Sequence, residues 1–275
     1  MLPFKTGLIL HSKSKKDLKL AEAHQIYCFE HHFAIDPSMQ FIYSTESGIS
    51  VYSSNPISLV RRVDYRREIK DMSAGRDHLY ILNDDSLVLY SKNGFNVLSK
   101  NFTNCTVKAI GDDLIGVQSR SDLAIYNHAF VCKAILNCQC SFYCRDILLL
   151  GDMNIVKVYI KGNKAFEVSM PDYITCLITD PLFSRIYCAT QDSNIHVFDL
   201  NGLPLKTLEY HTKPVRQMKL SFCGQYLYSS DGGRICVWNI TDCIARGYVD
   251  VEETVESFET LLVDDFEYDM DRTLV

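Results

Sequence analysis

Three cysteines form the densest group of residues in this sequence that could bind a metal. Cys138, Cys140 and Cys144 are spaced i, i+2 and i+6, and the alternation of a β-strand would direct the first two to one face. Zinc sites, however, use CxxC-like spacings and a fourth ligand. Buried thiols also pack as small apolar groups. We therefore predict that these cysteines belong to the core and that the protein has no metal site.

Paired acids and paired histidines are the other candidates for catalysis. Asp84–Asp85 and Asp112–Asp113 could act as acid and base or hold calcium, but aspartate is also favoured in turns for its conformation. His31 and His32 begin a predicted strand, where a structural or surface role is favoured. The sequence contains no GxxxxGKS/T, GxSxG or HExxH motif, and no GxGxxG motif after a strand. It therefore predicts no catalytic residue and no cofactor.

Charge is distributed unevenly along the chain. Residues 250–275 hold ten acids and one base, a net charge of −9, which leaves +3 for residues 1–249 out of a total of −6. Basic residues cluster twice, and the candidates for binding a partner are Lys13, Lys15, Lys16, Arg61, Arg62, Arg66 and Arg67. Such residues either protect strand edges against aggregation or contact RNA phosphates or an acidic partner. The few aromatic residues nearby in the sequence favour strand-edge protection.

Composition and length limit the possible classes of protein. The 275 residues are 47% hydrophobic, with 14 Phe and 16 Tyr, which predicts a folded chain. The length suits one large barrel or propeller, or two ordinary domains. No apolar run approaches the roughly 20 residues of a membrane span, and the start does not have the pattern of a signal peptide. Because the sequence has no such run, we expect no membrane insertion. Because the 11 cysteines show no paired framework, we expect a reducing compartment.

A strand pattern recurs with a period of about 40 residues, the spacing of propeller blades. Each copy alternates apolar and polar residues and ends in an aromatic residue. These aromatics are Tyr52, Tyr90, Tyr126, Tyr159, Phe198 and Trp238, spaced 33–40 residues apart. A second strand precedes each copy across a turn rich in Asp, Ser, Asn and Gly, which is typical of hairpins. With one more strand on either side, four strands per unit predict the blades of an all-β propeller.

The sixth unit resembles a WD repeat. It carries His211, the turn Leu220–Gly224, and Trp238–Asn239 in place of Trp-Asp. The resemblance implies a hydrogen-bonded set formed by a His, a Ser or Thr, a turn Asp and the Trp. Gly232 stands where the turn Asp is expected, with Asp231 beside it.

The fifth unit is a second match to the WD repeat. It keeps the turn aspartate, Asp192, and ends in Phe198–Asp199. The phenylalanine ring cannot donate a hydrogen bond as the Trp would. We therefore expect the hydrogen-bonded set to be incomplete in every unit, with apolar packing holding the blades together.

The two ends of the chain supply the strands of one more unit. Three strand candidates lie within residues 6–30 and one within residues 255–263. We predict a single domain over residues 1–275, a seven-bladed WD-repeat β-propeller with blades 1–6 within residues 31–249 and a seventh blade split between the ends. Closure by the C-terminal strand would remove open sheet edges. Residues 264–275 then form an acidic tail.

Two stretches resemble a narrower family, the WD-repeat subunits of the pre-rRNA-processing complex that matures the large ribosomal subunit. The matching positions are Phe166, Pro171, Ile174, Leu177, Asp180–Pro181, Arg185 and Tyr187–Thr190 in residues 166–200, and Val215, Leu220–Ser221, Gly224, 233–237 and Ile244–Arg246 in residues 215–248. The resemblance implies a nuclear, non-catalytic scaffold that docks on pre-60S particles with partner subunits and an AAA remodelling ATPase.

Two further hypotheses stay open at this point. The chain is a WD-repeat scaffold of another assembly, such as the small-subunit processome, a splicing or chromatin complex, or a vesicle coat, in which case it can be cytoplasmic. Alternatively it is an enzyme, with carboxylates or histidines converging in the channel. A scaffold that contacts RNA should show a basic patch formed by the lysines of residues 13–19 and the arginines of residues 61–67.

Overall fold

In the part of the chain that the structure describes, the regular secondary structure consists of β-strands joined by turns and links. In this computed structural model, that part comprises residues 5–11, 26–29, 33–35, 41–44, 48–54, 57–91, 94–111, 113–144, 146–180, 185–221, 225–250 and 257–263. It contains 27 strands and no helix. Within those ranges no helix is therefore available to cross a membrane. The all-β prediction is confirmed.

Seven sheets account for all of these strands, and we number the six four-stranded sheets 1 to 6 in chain order. The chain begins with β1 (Lys5–His11) and β2 (Ile26–Phe29). Sheet 1 contains β3 (Phe33–Ile35), β4 (Phe41–Ser44), β5 (Ile49–Ser54) and β6 (Ile57–Val63). Sheet 2 contains β7 (Asp71–Ala74), β8 (Leu79–Leu82), β9 (Ser86–Ser91) and β10 (Gly94–Ser99). Sheet 3 contains β11 (Thr106–Ile110), β12 (Leu114–Gln118), β13 (Asp122–Asn127) and β14 (Cys132–Asn137).

The second half of the chain repeats this arrangement. Sheet 4 contains β15 (Cys140–Cys144), β16 (Ile147–Asp152), β17 (Ile155–Ile160) and β18 (Asn163–Ser169). Sheet 5 contains β19 (Ile174–Asp180), β20 (Arg185–Thr190), β21 (Ile195–Asp199) and β22 (Pro204–Leu208). Sheet 6 contains β23 (Gln217–Leu220), β24 (Tyr226–Ser230), β25 (Arg234–Asn239) and β26 (Ile244–Asp250), and the last strand is β27 (Ser257–Val263).

The sheets are arranged radially around a common centre. First strands of neighbouring sheets lie side by side, β3 with β7, β7 with β11, β15 with β19, and β19 with β23. The first strand of each sheet is therefore innermost and the fourth is outermost. The core consists of apolar layers between consecutive sheets. In the layer between sheets 5 and 6, Tyr187 and Leu227 are buried beside Trp238, and this burial is the main source of stability.

A three-stranded sheet joins the two ends of the chain, in the order β2, β1, β27. The pairing of β1 with β27 is antiparallel and runs from Lys5 opposite Val263 to His11 opposite Ser257. The pairing of β1 with β2 is parallel. β27 also lies beside β23, the innermost strand of sheet 6. The number of blades and the closure of the ring stay predictions, and the candidate strand at residues 17–23 and the acidic tail lie outside the described residues.

Candidate interaction surface

The four arginines predicted to bind a partner lie on the outermost strand of sheet 1 and in the link to sheet 2. They are Arg61 and Arg62 on β6, and Arg66 and Arg67 after it, and all are exposed. Arg66 pairs with Asp64 at 3.3 Å, and Arg67 with Asp85 at 3.5 Å. The two arginines on β6 have no ion pair among the residues that the structure describes. The arginines of β6 are therefore the ones whose charge is available to a partner.

A cluster of aromatic rings lies beside the first of these arginines. The Phe95 ring on β10 lies 4.8 Å from the ring of Tyr90 and 5.6 Å from that of Tyr65, between ring centroids. The Arg61 guanidinium lies 5.9 Å from the Tyr90 centroid, within cation–π range. We call these four residues the rim site. Tyr65 lies among the arginines in the sequence, whereas Tyr90 and Phe95 come from positions about 30 residues away. Tertiary packing therefore adds aromatic rings that the sequence around the arginines does not contain.

A second arginine–aromatic cluster lies on sheet 6, and the sequence analysis did not single it out. The Arg234 guanidinium is 4.6 Å from the ring centroid of Tyr248 and 5.8 Å from that of Tyr210. Both tyrosines are exposed. In the pairing of β25 with β26, Arg234 lies opposite Asp250. This cluster, like the rim site, combines an arginine with exposed aromatic rings.

A buried hydrogen-bonded network holds sheet 6 together. Trp238 Nε1 donates to Ser229 Oγ at 2.8 Å, and Ser229 Oγ lies 2.7 Å from His211 Nε2. His211 Nδ1 lies 3.1 Å from Asp231 Oδ2. Burial lowers the pKa of His211 despite the neighbouring carboxylate, so the imidazole is neutral at physiological pH. A neutral ring donates from Nδ1 to Asp231 and accepts the Ser229 hydroxyl proton at Nε2, which assigns every donor an acceptor.

This network corrects the prediction that every set is incomplete. Asp231 takes the role of the turn aspartate, because Gly232 adopts φ +92° and the turn directs the preceding carboxylate toward His211. The backbone N–H groups of Gly233 and Arg234 donate to the other carboxylate oxygen. Although burial opposes it, these bonds and His211 lower the pKa of Asp231.

The network shares its connectivity with a catalytic triad of serine, histidine and aspartate. Here, however, Ser229 is fully buried, and its oxygen already accepts the indole proton of Trp238. A nucleophile must be reachable by substrate and unblocked on its attacking side. The arrangement in sheet 6 is therefore structural.

Comparisons with known proteins concern the repeat and the fold. Residues 202–239 match the family model described as WD domain, G-beta repeat. The structure resembles the crystal structure of Hsv2 from Kluyvelomyces marxianus with a TM-score of 0.61, at 11% sequence identity over 76% of this chain and 75% of that one. The fold is a β-propeller, and residues 202–239 match a WD repeat. No curated protein sequence matches the chain. Sheets 1 to 6 are hereafter blades 1 to 6.

Blade 5 of the propeller carries a smaller version of the network. Thr190 Oγ1 donates to Asp192 Oδ1 at 2.5 Å and lies 3.1 Å from His196 Nε2. The histidine comes from the third strand of the blade rather than from the link before the first strand. Phe198 supplies no donor and is buried in the layer between blades 4 and 5. This blade therefore depends more on apolar packing than blade 6 does.

The six repeat aromatics occupy equivalent places, on the third strand of each blade. The register with the fourth strand shifts by one residue directly before five of them, which are Tyr52, Tyr126, Tyr159, Phe198 and Trp238. A bulge of this kind bends and twists the outer strand. Tyr90 in blade 2 has no such shift, and its ring belongs to the rim site.

The cysteines predicted to share one strand face contact different layers of the core. Cys138 packs between blades 3 and 4, with its thiol 3.6 Å from Gln118 Oε1. Cys140 packs between blades 4 and 5, because β15 begins only at that residue. Burial raises the pKa of the Cys140 thiol to about 12. No group of three potential metal ligands occurs in the described parts of the chain.

The remaining candidates divide into structural residues and residues outside the described part. Asp84 and Asp85 form the turn between β8 and β9, where they approach Lys70 at 3.7 Å and Arg67 at 3.5 Å. The candidates that lie outside the described residues are Lys13, Lys15, Lys16, His31, His32 and Asp112. The expectation that the lysines and arginines form one patch stays a prediction.

Side chains on innermost strands tie neighbouring blades together near the centre of the propeller. Asp71 Oδ2 accepts the backbone N–H of Val107 at 2.7 Å, which joins blades 2 and 3. Lys108 Nζ donates to the carbonyl of Ser141 at 2.5 Å, which joins blades 3 and 4. Burial raises the pKa of Asp71 to about 6, although the Val107 N–H and the Lys108 charge act in the opposite direction. Burial lowers the pKa of Lys108.

Replacing Asp71 by asparagine should change how stability depends on pH. The folded-state pKa of about 6 exceeds the ordinary 3.8, so the ionised carboxylate opposes folding at neutral pH, and this opposition disappears as the pH falls through that range. Asp71→Asn keeps an oxygen for the Val107 N–H but cannot ionise. The unfolding free energy of the variant minus that of wild type should therefore increase by on the order of 2 kcal/mol between about pH 4 and pH 7. Thermal unfolding across this range measures the difference, and a constant difference would contradict the assignment.

Proposed function

We propose that this chain is a non-catalytic scaffold subunit that acts in the nucleus, in pre-rRNA processing and assembly of the large ribosomal subunit. The WD-repeat propeller fold is consistent with a scaffold, since it offers rigid faces and an outer rim with loops at every strand end. Fold by itself does not assign function. The choice of assembly rests on the two stretches of residues 166–200 and 215–248 that resemble the pre-rRNA-processing family.

One contact supports this proposal, because it joins the two stretches of chain that resemble the family. Arg185, one of the matching residues, donates from Nη1 to the carbonyl of Ile240. The same nitrogen lies 3.5 Å from Cys243 Sγ. The motif arginine of blade 5 therefore holds the end of the third strand of blade 6. The two stretches that resemble the family therefore pack against each other in the fold.

The partners we propose are other scaffold subunits and an AAA remodelling ATPase on pre-60S particles. Affinity purification of the tagged full-length protein, followed by mass spectrometry and gradient sedimentation, tests this assignment. We expect large-subunit precursor proteins to copurify and the tagged chain to sediment with pre-60S particles. An untagged strain is the control. Recovery of small-subunit processome, splicing, chromatin or vesicle-coat proteins without large-subunit precursors would refute the proposal.

A further inference from the structure

The rim site combines exposed aromatic surface with unpaired positive charge. Phe95 is 41% exposed although it packs against two tyrosines. Val97 alternates with Phe95 on β10, where the pairing with β9 is regular, so these two side chains share a strand face. Val97 is about half exposed. Leu59 does not share a face with Arg61, because the register shift places Arg61 opposite Val51 and Leu59 opposite Tyr52. The result is an exposed apolar surface on the outer strand of blade 2, with Arg61 of blade 1 beside Tyr90.

We propose that the rim site binds single-stranded RNA. A base stacks on the exposed face of Phe95, and backbone phosphates contact Arg61 and its neighbour Arg62. The choice of RNA as the nucleic acid rests on the proposed function in pre-rRNA processing. The exposed aromatic ring and the two arginines are complementary to a ligand that has flat apolar rings and repeated negative charges.

Stacking explains why an aromatic ring is left partly open at this position. Every nucleobase has a π-face, so an exposed ring binds unpaired bases with little regard to sequence. The ring of Phe95 is held by Tyr90 and Tyr65, and Tyr65 is in turn held by Asn83, whose Nδ2 donates to its hydroxyl at 2.7 Å. A platform fixed in this way loses little conformational entropy when a base stacks on it.

Charge favours a polyanion over a neutral protein surface. Residues 61–70 contain five basic and two acidic residues. The planar guanidinium fork matches phosphate oxygens in two parallel hydrogen bonds. The pairs Arg66–Asp64 and Arg67–Asp85 are largely exposed, so they are weak and can exchange a carboxylate for a phosphate. The cluster around Arg234 has similar aromatics, but Arg234 is the only basic residue of the sequence between positions 230 and 240, so the same argument disfavours RNA there.

Fluorescence anisotropy with a labelled twelve-uridine oligonucleotide tests the proposal on the full-length protein. Phe95→Ala and Phe95→Leu should each weaken binding by about fivefold or more, as expected from the loss of one stacked base. The double variant Arg61→Ala/Arg62→Ala should weaken RNA binding roughly tenfold. It should also reduce the slope of the logarithm of the binding constant against the logarithm of salt concentration by about 1.4, the value for two lost phosphate contacts on a single strand.

Matched variants separate a specific site from general electrostatics. Arg120→Ala/Lys133→Ala removes the same charge from exposed positions in blade 3 and should change affinity by less than about twofold. Tyr248→Ala removes an exposed aromatic that also contacts an arginine and should have no effect. Phe95→Leu keeps apolar packing on Tyr90, so its melting temperature should match wild type even if Phe95→Ala is less stable.

Three outcomes would overturn the proposal. The first is no binding of the oligonucleotide, and the second is equal loss of affinity in the control variants. The third is equal affinity for a twelve-base-pair RNA duplex, whose bases are not free to stack. A further result would make the rim a protein interface instead. In that case a protein partner binds the wild-type chain but not Arg61→Ala/Arg62→Ala, stays bound after ribonuclease treatment, and binds although the oligonucleotide does not. If pre-60S proteins still copurify while the oligonucleotide fails to bind, the proposed function stands and this inference alone fails.

Discussion

The variant Ser229→Ala should strongly destabilise blade 6. It removes the oxygen shared by Trp238 Nε1 and His211 Nε2, and both groups are too deeply buried for water to replace it. Each buried polar group left without a partner costs about 1–3 kcal/mol. We therefore expect the unfolding free energy to fall by about 3 kcal/mol, which lowers the melting temperature by roughly 6–12 °C for a domain of this size.

Two further variants show whether the network is the cause. Ser169→Ala removes an exposed hydroxyl at the end of β18 and should leave the melting temperature unchanged within about 1 °C, because surface substitutions have small effects. Trp238→Phe introduces the ring that blade 5 has and keeps the bond between Ser229 and His211, so it should cost less than Ser229→Ala. Thermal and urea unfolding measure all three. Equal stability of Ser229→Ala and wild type would show that the network is not stabilising.

Deletion of residues 251–275 should destabilise the whole propeller. It removes β27, which pairs with β1 over seven residues and lies beside β23 of blade 6. The loss exposes the edge of β1 and one side of blade 6, and open strand edges lead to aggregation. If β27 closes the ring, as we predict, we expect a fall in melting temperature larger than that of Ser229→Ala, together with concentration-dependent aggregation measured by light scattering.

A shorter deletion separates strand pairing from the acidic tail. Removal of residues 264–275 leaves all seven pairs of β27 with β1 intact. It takes away only residues beyond the strand, with five acids and one base. This variant should melt at the wild-type temperature. An unchanged melting curve after the longer deletion, or equal losses from both deletions, would contradict closure by β27.

Much of the fold follows from local patterns in the sequence. The alternation around each repeat aromatic predicts strands, and the Asp, Ser, Asn and Gly turns predict hairpins, because both depend on residues close in the chain. The third strands ending near Tyr126 and Phe198 are examples. The parallel pairing of β1 with β2 was not predicted, because the alternation within a strand does not specify which strand it pairs with or in which direction.

The site was predicted less well, because its residues are neighbours only in space. The arginines of β6 were found from their clustering in sequence, but Tyr90 and Phe95 belong to the next blade and meet Arg61 only through inter-blade packing. The turn in blade 6 shows a similar limit. A motif comparison aligns Gly232 with the expected aspartate, whereas the positive φ of that glycine lets Asp231 complete the network.

The sequence by itself therefore determined the class of the protein, its repeat and the clustering of its basic residues. These depend on composition, on period-two alternation and on turn chemistry, all of which act over a few residues. Only the tertiary structure decided which charges are paired, which rings face the arginines, and whether His211, Ser229, Asp231 and Trp238 form one network. The reason is physical: ion pairs, ring contacts and buried hydrogen bonds require atoms within a few ångströms, and that proximity arises when the blades pack.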